Sequence, residues 1–245
     1  MDLLYLLVLF LAVALLGLFQ KISPTMNKPK FITIEGGEGS GKSSLWQAMK
    51  AEFGDQVLFT REPGGSPYGE AIRETTLKNP LAATAPAETT LCLMFAARFD
   101  HLVNLVRPAL ASGKSVVSDR FDASSYAYNV HAQSGGLVSR LFWQLRRQLM
   151  ILPDLYVYID VEPEEGMRRA QKRNQAGSSS GHYDHFDDRA VAFHQKVHEG
   201  YEKFFGRRRW LTRRLLVPMV RIDANRPFAE VKADFMALMK EQLGL

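Results

Sequence analysis

One stretch of eight residues restricts this chain of 245 more than any other feature in it. Gly36-Gly37-Glu38-Gly39-Ser40-Gly41-Lys42-Ser43 follows the apolar run Phe31-Ile32-Thr33-Ile34 and leads into a helical segment that starts at Ser43 and Ser44. It satisfies G-x-x-x-x-G-K-[ST] between a strand and a helix, the context that gives the pattern its physics. Glycines let the backbone curl until several N–H groups point inward. The helix start adds its positive end and unpaired amides. Lys42 is then placed to reach the β- and γ-phosphates of a nucleoside triphosphate, and the Ser43 hydroxyl to ligate the Mg²⁺ that bridges them. The whole run from Gly36 to Ser44 is expected to cradle phosphates. By itself it does not separate kinases from GTPases or motors.

The rest of the chain supplies the sheet. Val57–Thr60, Ser115–Ser118 and Leu155–Ile159 read as further strands, and Val217–Ile222 as a fifth weakened by Pro218. Between them lie helical stretches, among them Glu88–Leu110, which ends near Ser112-Gly113. Alternating strands and helices predict a P-loop α/β fold of three layers, a parallel five-stranded sheet with helices on both faces. At 46% apolar and 23% charged residues the chain is not disordered as a whole, and its length suits one such domain. The net charge of +5 fits an anionic ligand. Charge of that size speaks to solubility and non-specific attraction, so nucleic acid is not an expected partner. The single cysteine, Cys92, excludes an intrachain disulfide and, within an apolar run, is expected to be a buried small hydrophobe. The six histidines show no zinc-ligand spacing.

Residues 1–25 differ in character from the remainder of the chain. Leu3–Phe19 is uncharged and apolar, near the lower length limit for crossing a bilayer. Asp2 stands where a signal peptide carries positive charge. Three readings compete: a short membrane anchor, with Lys21 favouring a cytoplasmic remainder; a helix packed on the domain or a partner; or a start placed too early, since Met26 precedes the first strand. The functional domain is expected to span 26–245, with a lid at about 166–188. Within the lid, Gln175–Gly181 reads as a flexible loop.

Further stretches, in order from Phe31 to the C-terminus, resemble the thymidylate kinase family. Thr60-Arg61-Glu62-Pro63-Gly64-Gly65 is similar to the stretch whose arginine grips the acceptor phosphate, a task suited to a planar guanidinium fork. Leu93–His101 resembles the family helix that carries a base-stacking aromatic, then an arginine that reads the base edge, then a histidine. Arg98 and His101 match it. The stacking position falls on Met94, with Phe95 one residue out of step, which leaves the base preference open. Asp119-Arg120-Phe121-Asp122-Ala123-Ser124-Ser125-Tyr126-Ala127-Tyr128-Asn129 resembles the segment after the third strand. The resemblance implies Asp119 near Mg²⁺ and the acceptor phosphate, and Arg120 on the transferring phosphoryl oxygens. Ser124, Tyr128 and Asn129 would line the acceptor pocket, Asn129 standing where glutamine is usual.

Pro153–Val161 and Gly166–Arg173 resemble the strand and basic helix that lead into the lid. Gly39 stands where some family members carry a P-loop arginine, so the lid is implied to supply one; Arg169 and Arg173 match, and Arg173 is favoured. Asp184-His185-Phe186-Asp187 replaces the family's D-R-x-E with a histidine at the arginine. Ile222–Pro227 resembles the closing strand and the loop beside adenine. Before it, Arg207-Arg208-Arg209-Trp210 and Arg213-Arg214 form a basic patch, read as a solvated connection or a membrane-surface contact.

Together these imply ATP- and Mg²⁺-dependent phosphorylation of dTMP to dTDP by in-line transfer, in the cytoplasm, by a homodimer. Glu38 would meet the acceptor's sugar hydroxyl. The alternatives are a kinase for another nucleotide or nucleoside, kept open by Met94 and Phe95; a catalytically weak nucleotide-binding regulator, suggested by His185 and Asn129; and a membrane-tethered interaction protein, through residues 3–19.

Overall fold

The computed structural model describes residues 28–133, 136–175, 190–206 and 217–245. The apolar N-terminal run, the segment after Gln175 with His185, and the basic patch at 207–214 lie outside the described residues. Among those described, no helix is long and apolar enough to cross a membrane.

Strands β1 (Phe31–Glu35), β2 (Val57–Arg61), β3 (Ser115–Asp119), β4 (Leu155–Asp160) and β5 (Met219–Asp223) form one parallel sheet in the order β2-β3-β1-β4-β5. Each lies where the sequence places it. β5 starts at Met219 rather than Val217 because Pro218 has no amide to give the ladder. Its carbonyl still accepts from the Tyr156 amide at 2.9 Å.

The period-two alternation of strand side chains builds the layers. Phe31, Val116, Tyr156 and Tyr158 point to one face, where they meet helices α3 (Ala87–His101), α6 (Gly136–Arg147) and α8 (Val191–Gly206). Ile32, Ile34, Val117, Val157 and Ile159 point to the other, against α1 (Lys42–Phe53) and α9 (Phe228–Leu243). β1 has both faces and both edges covered, and all five of its residues are buried. The remaining helices are α2 (Pro67–Arg73), α4 (Arg107–Ala111), α5 (Asp122–Ser125) and α7 (Pro163–Gln175).

The expected helix from Glu88 to Leu110 is present as α3 and α4 joined by a wider turn, Leu102–Val106. That turn closes with the Arg107 amide on the Leu102 carbonyl, just before Pro108, which has no donor of its own. One expectation fails on α3. Cys92 is exposed, because Thr89, Cys92 and Ala96 share the outer face of the helix while Leu91, Met94, Phe95 and Arg98 take the inner one.

β1 lies between β3 and β4, so the chain leaves it in opposite directions at the carboxyl edge. That crevice is where open α/β sheets place ligands. Just past β3 is a buried ionic cluster. Arg146 Nε donates to Asp122 Oδ2 at 2.5 Å, and the Tyr156 hydroxyl donates to Asp122 Oδ1 at 2.6 Å. Both Asp122 and Arg146 are buried. Replacing Arg146 by Met strands a buried carboxylate, which costs about 3–5 kcal/mol. A urea titration is expected to show that loss as a lower midpoint with an unchanged slope.

Candidate active site

The P-loop leaves β1 at Gly36 and ends at Gly41, the residue before α1. Its middle is packed against α7 through backbone alone. A Cβ on Gly39, whose φ is +68°, would lie 1.9 Å from the Gly166 carbonyl oxygen; one on Gly166 would lie 2.4 Å from that of Glu38. Lys42 is buried and folded along the loop, donating to the carbonyls of Gly36 (2.8 Å) and Gly37 (3.0 Å) and to Ser40 Oγ (3.2 Å). Burial, then the charge of Arg120, pulls its ammonium down to about 8, so it is still largely charged at neutral pH. Ser40 donates to the Gly37 carbonyl at 2.8 Å, and Ser43 and Ser44 are exposed in the first turn of α1.

Arg120 faces the loop from the end of β3. Its φ of +69° makes it the non-glycine residue held in the left-handed region among those described. Such a conformation persists where the surroundings enforce it. Here Nη1 donates to the Gly36 carbonyl (3.1 Å), Ser124 Oγ (3.1 Å) and the Tyr201 hydroxyl (3.2 Å), while the Tyr128 ring lies 5.0 Å from the guanidinium carbon. Tyr128 and Asn129 are buried in the wide turn Tyr126–His131 that follows α5.

A second buried network holds Arg98. Glu62 accepts from Arg98 Nε at 2.7 Å and bonds His101 Nδ1 at 2.8 Å; His101 Nε2 meets Thr60 Oγ1 at 2.9 Å, and Arg98 Nη2 donates to Ser125 Oγ at 2.9 Å. The Arg98 guanidinium lies 4.7 Å from the Phe95 ring centroid and 4.8 Å from that of Phe121. Phe95 therefore meets Arg98 despite being three residues away on α3, and Met94 is buried beside it in the same apolar cluster. Arg61, at the end of β2, donates to Glu70 Oε2 at 2.9 Å.

Of the two α7 arginines expected to serve the phosphates, Arg173 is the one that reaches the P-loop. Its Nη2 donates to Glu38 Oε1 at 2.7 Å, whereas Arg169 is tied to Glu165 and to the Ala224 carbonyl. Burial alone would raise the Glu38 carboxyl. The bond from Arg173 and the charge of Lys42 outweigh it and hold the group below the usual carboxylate range.

A P-loop, two loop-facing arginines and the buried Arg98 thus converge on one crevice. The thymidylate kinase family model matches residues 34–234, which contain all of them. The chain is 36% identical over 225 residues to the thymidylate kinase of Leuconostoc citreum, covering 89% of this chain and 98% of that one. It is 38% identical over 223 residues to that of Halalkalibacterium halodurans (90% and 100%), and 34% identical over 223 residues to that of Protochlamydia amoebophila (89% and 95%). The chain belongs to the thymidylate kinase family.

In this thymidylate kinase family member the structure adds two residues that sequence reasoning passed over. Glu35 ends β1, fully buried, and Tyr201 on α8 is equally buried with its hydroxyl at the Arg120 anchor. Glu35 carries a legible signal, an acid closing an otherwise apolar strand. Tyr201 carries none, since it lies on a helix far along the chain from the P-loop. Burial, then Asp122, pushes the Glu35 carboxyl up to about 8, against the hydrogen bond from Ser124 and the charges of Arg120 and Arg98. The folded-state value lies above the unfolded one. The folded chain therefore holds an extra proton between about pH 4.5 and about pH 8, and Glu35 subtracts stability as pH rises through that window. Urea unfolding at a series of pH values is expected to show Glu35→Gln gaining on the wild type from pH ~5 to ~8.

Proposed function

We propose that this chain transfers the γ-phosphoryl group of ATP to dTMP, giving dTDP. The observation that carries the reading is the placement of Arg120, anchored 3.1 Å from the Gly36 carbonyl of the P-loop and flanked by Ser124 and Tyr128 on its other side. It stands between a triphosphate cradle and a second, acceptor-side group of residues.

Phosphoryl transfer demands alignment and charge neutralisation rather than a protein nucleophile. Lys42 exchanges its contacts with Gly37 and Ser40 for the β- and γ-phosphates while keeping the Gly36 carbonyl, and the amides from Gly36 to Ser44 cradle the phosphates. Arg120 and Arg173 neutralise the equatorial oxygens as charge spreads over them. Arg61 grips the acceptor phosphate. Its Nε is buried without a hydrogen-bond partner, and so is Arg98 Nη1, which supports a phosphate and a base carbonyl as their acceptors. Met94 and Phe95 form the apolar wall beside Arg98, Ser124, Tyr128 and Asn129 line the acceptor side, and Glu38 passes from Arg173 to the sugar hydroxyl.

The residues present fit Mg²⁺. Asp119 Oδ1 is buried without a hydrogen-bond partner at the end of β3, and the Ser43 hydroxyl is exposed at the start of α1; hard oxygen donors of this kind suit that ion. Asp119 and Ser43 would hold it, and it supplies neutralising charge to the phosphates.

We place the reaction in the cytoplasm and assign a homodimer. The outer face of α3 supports the second copy: Thr89, Cys92 and Ala96 are exposed there, with Leu93 and Phe99 half-buried. Sedimentation equilibrium is expected to give twice the chain mass.

A coupled ADP-release assay with ATP, Mg²⁺ and dTMP, dUMP, UMP, CMP or no acceptor tests the activity. Turnover is expected with dTMP and little without acceptor. Arg120→Gly, which keeps the left-handed backbone and removes the guanidinium, is expected to lower kcat by about 10²–10³-fold. Turnover with a different acceptor would move the substrate, and ATP binding without any acceptor-dependent turnover would sink the kinase reading.

A further inference from the structure

The nitrogen that anchors Arg120 rests on two hydroxyls, and a hydroxyl fixes a cation only if it is itself fixed. Ser124 Oγ donates to Glu35 Oε2 at 2.6 Å, and the Tyr201 hydroxyl lies 2.8 Å from Ser124 Oγ and 3.3 Å from the Gly36 carbonyl. Arg120 Nη1 shares its two protons among both hydroxyl oxygens and the Gly36 carbonyl. Each hydroxyl has one proton and two lone pairs, and a carbonyl oxygen has two lone pairs. The Gly36 carbonyl already accepts from Lys42 Nζ at 2.8 Å and from Arg120 Nη1 at 3.1 Å.

Only one proton arrangement spares that carbonyl a third donor. Ser124 gives its proton to Glu35, so its oxygen can take the proton of Tyr201 as well as the bond from Arg120. Without an acceptor at position 35, Ser124 turns its proton onto Tyr201, and Tyr201 turns its own onto Gly36. The carbonyl is then contested by the two cations of the site and a phenol. We infer that Glu35 is a positioning residue for phosphoryl transfer: acting through Ser124 and Tyr201, it fixes the direction of this hydroxyl chain and keeps the Gly36 carbonyl for Lys42 and Arg120.

The two residues are suited to the task. Glu35 sits on the central strand at the root of the P-loop, with no exposed surface. Tyr201 is locked by the rings of Tyr158 (5.1 Å) and Phe205 (6.3 Å). Glu35 needs no negative charge for this role, because a neutral carboxyl keeps an acceptor oxygen. A carboxamide has the same shape and the same acceptor.

The inference rests on the kinase reading above, and one experiment separates the two. Steady-state kinetics of the full chain at pH ~7 with ATP, Mg²⁺ and dTMP would compare wild type, Glu35→Leu, Glu35→Gln and Tyr201→Phe, each checked for folding by thermal unfolding. Glu35→Leu is expected to lose kcat by about 10²-fold and Tyr201→Phe by about tenfold, with the KM for ATP moving less than about threefold, because a misplaced group affects the transition state more than binding. Glu35→Gln is expected to keep kcat within about threefold of wild type, a rescue that depends on the acceptor alone. If Glu35→Leu does not fold, Tyr201→Phe, which keeps every ring contact, decides. Wild-type kcat in Tyr201→Phe, or an equal loss in Glu35→Gln and Glu35→Leu, overturns the inference while leaving the kinase reading in place. A wild-type chain silent with dTMP overturns the kinase reading and the inference with it.

Discussion

The burial of charge at the carboxyl edge of β1 is the constraint that the rest of this structure answers to. Glu35, Lys42, Glu62, Arg98, Asp122 and Arg146 are all buried, none more than 9% exposed. An unpaired charge in such a place would be neutralised or would unfold the chain. The fold answers with paired networks. Asp122 has Arg146 and Tyr156; Glu62 has Arg98 and His101; Lys42 has the loop carbonyls; Glu35 has Ser124 and is pushed toward its neutral form. Among the buried atoms left without a hydrogen-bond partner are Asp119 Oδ1, Arg98 Nη1 and Arg61 Nε, together with Arg146 Nη1 and Glu35 Oε1.

The sheet makes that arrangement possible. A central strand flanked by β3 and β4 brings three chain ends together, and the apolar layers on both faces hold them still. Each end then contributes one functional piece: the P-loop from β1, Asp119 and Arg120 from β3, and from β4 the path to α7 and Arg173. Helices contribute where a strand end cannot reach. α3 carries Arg98 beneath the crevice, and α8 brings Tyr201 from 165 residues beyond Gly36 in sequence.

Much of this is legible in the chain itself. The five strands are short apolar runs with turn signals at their ends, and two-sided burial makes such runs easy to see. The P-loop announces itself because its backbone geometry demands particular glycines. Cys92 misleads because an apolar run on a helix says nothing of which face each residue takes until the partner helices are known. Phe95 is out of step by spacing, yet its ring lies against the Arg98 guanidinium, since a side chain with two free torsions covers the offset between three and four residues. Tyr201 cannot be read at all. Its role depends on a hydroxyl meeting groups from three distant segments, and no local pattern encodes that.

The backbone contact between Gly39 and Gly166 has a consequence for how this kinase can change over evolutionary time. The two glycines behave as a single shared position divided between the P-loop and α7. Any side chain at residue 39 meets the helix main chain, which cannot rotate away as a side chain can. A route that moves an arginine from α7 into the loop is therefore closed to single substitutions. It would require the first turns of α7 to be rebuilt before the arginine could arrive, so the two ways of supplying that charge are separated by a valley that one change does not cross.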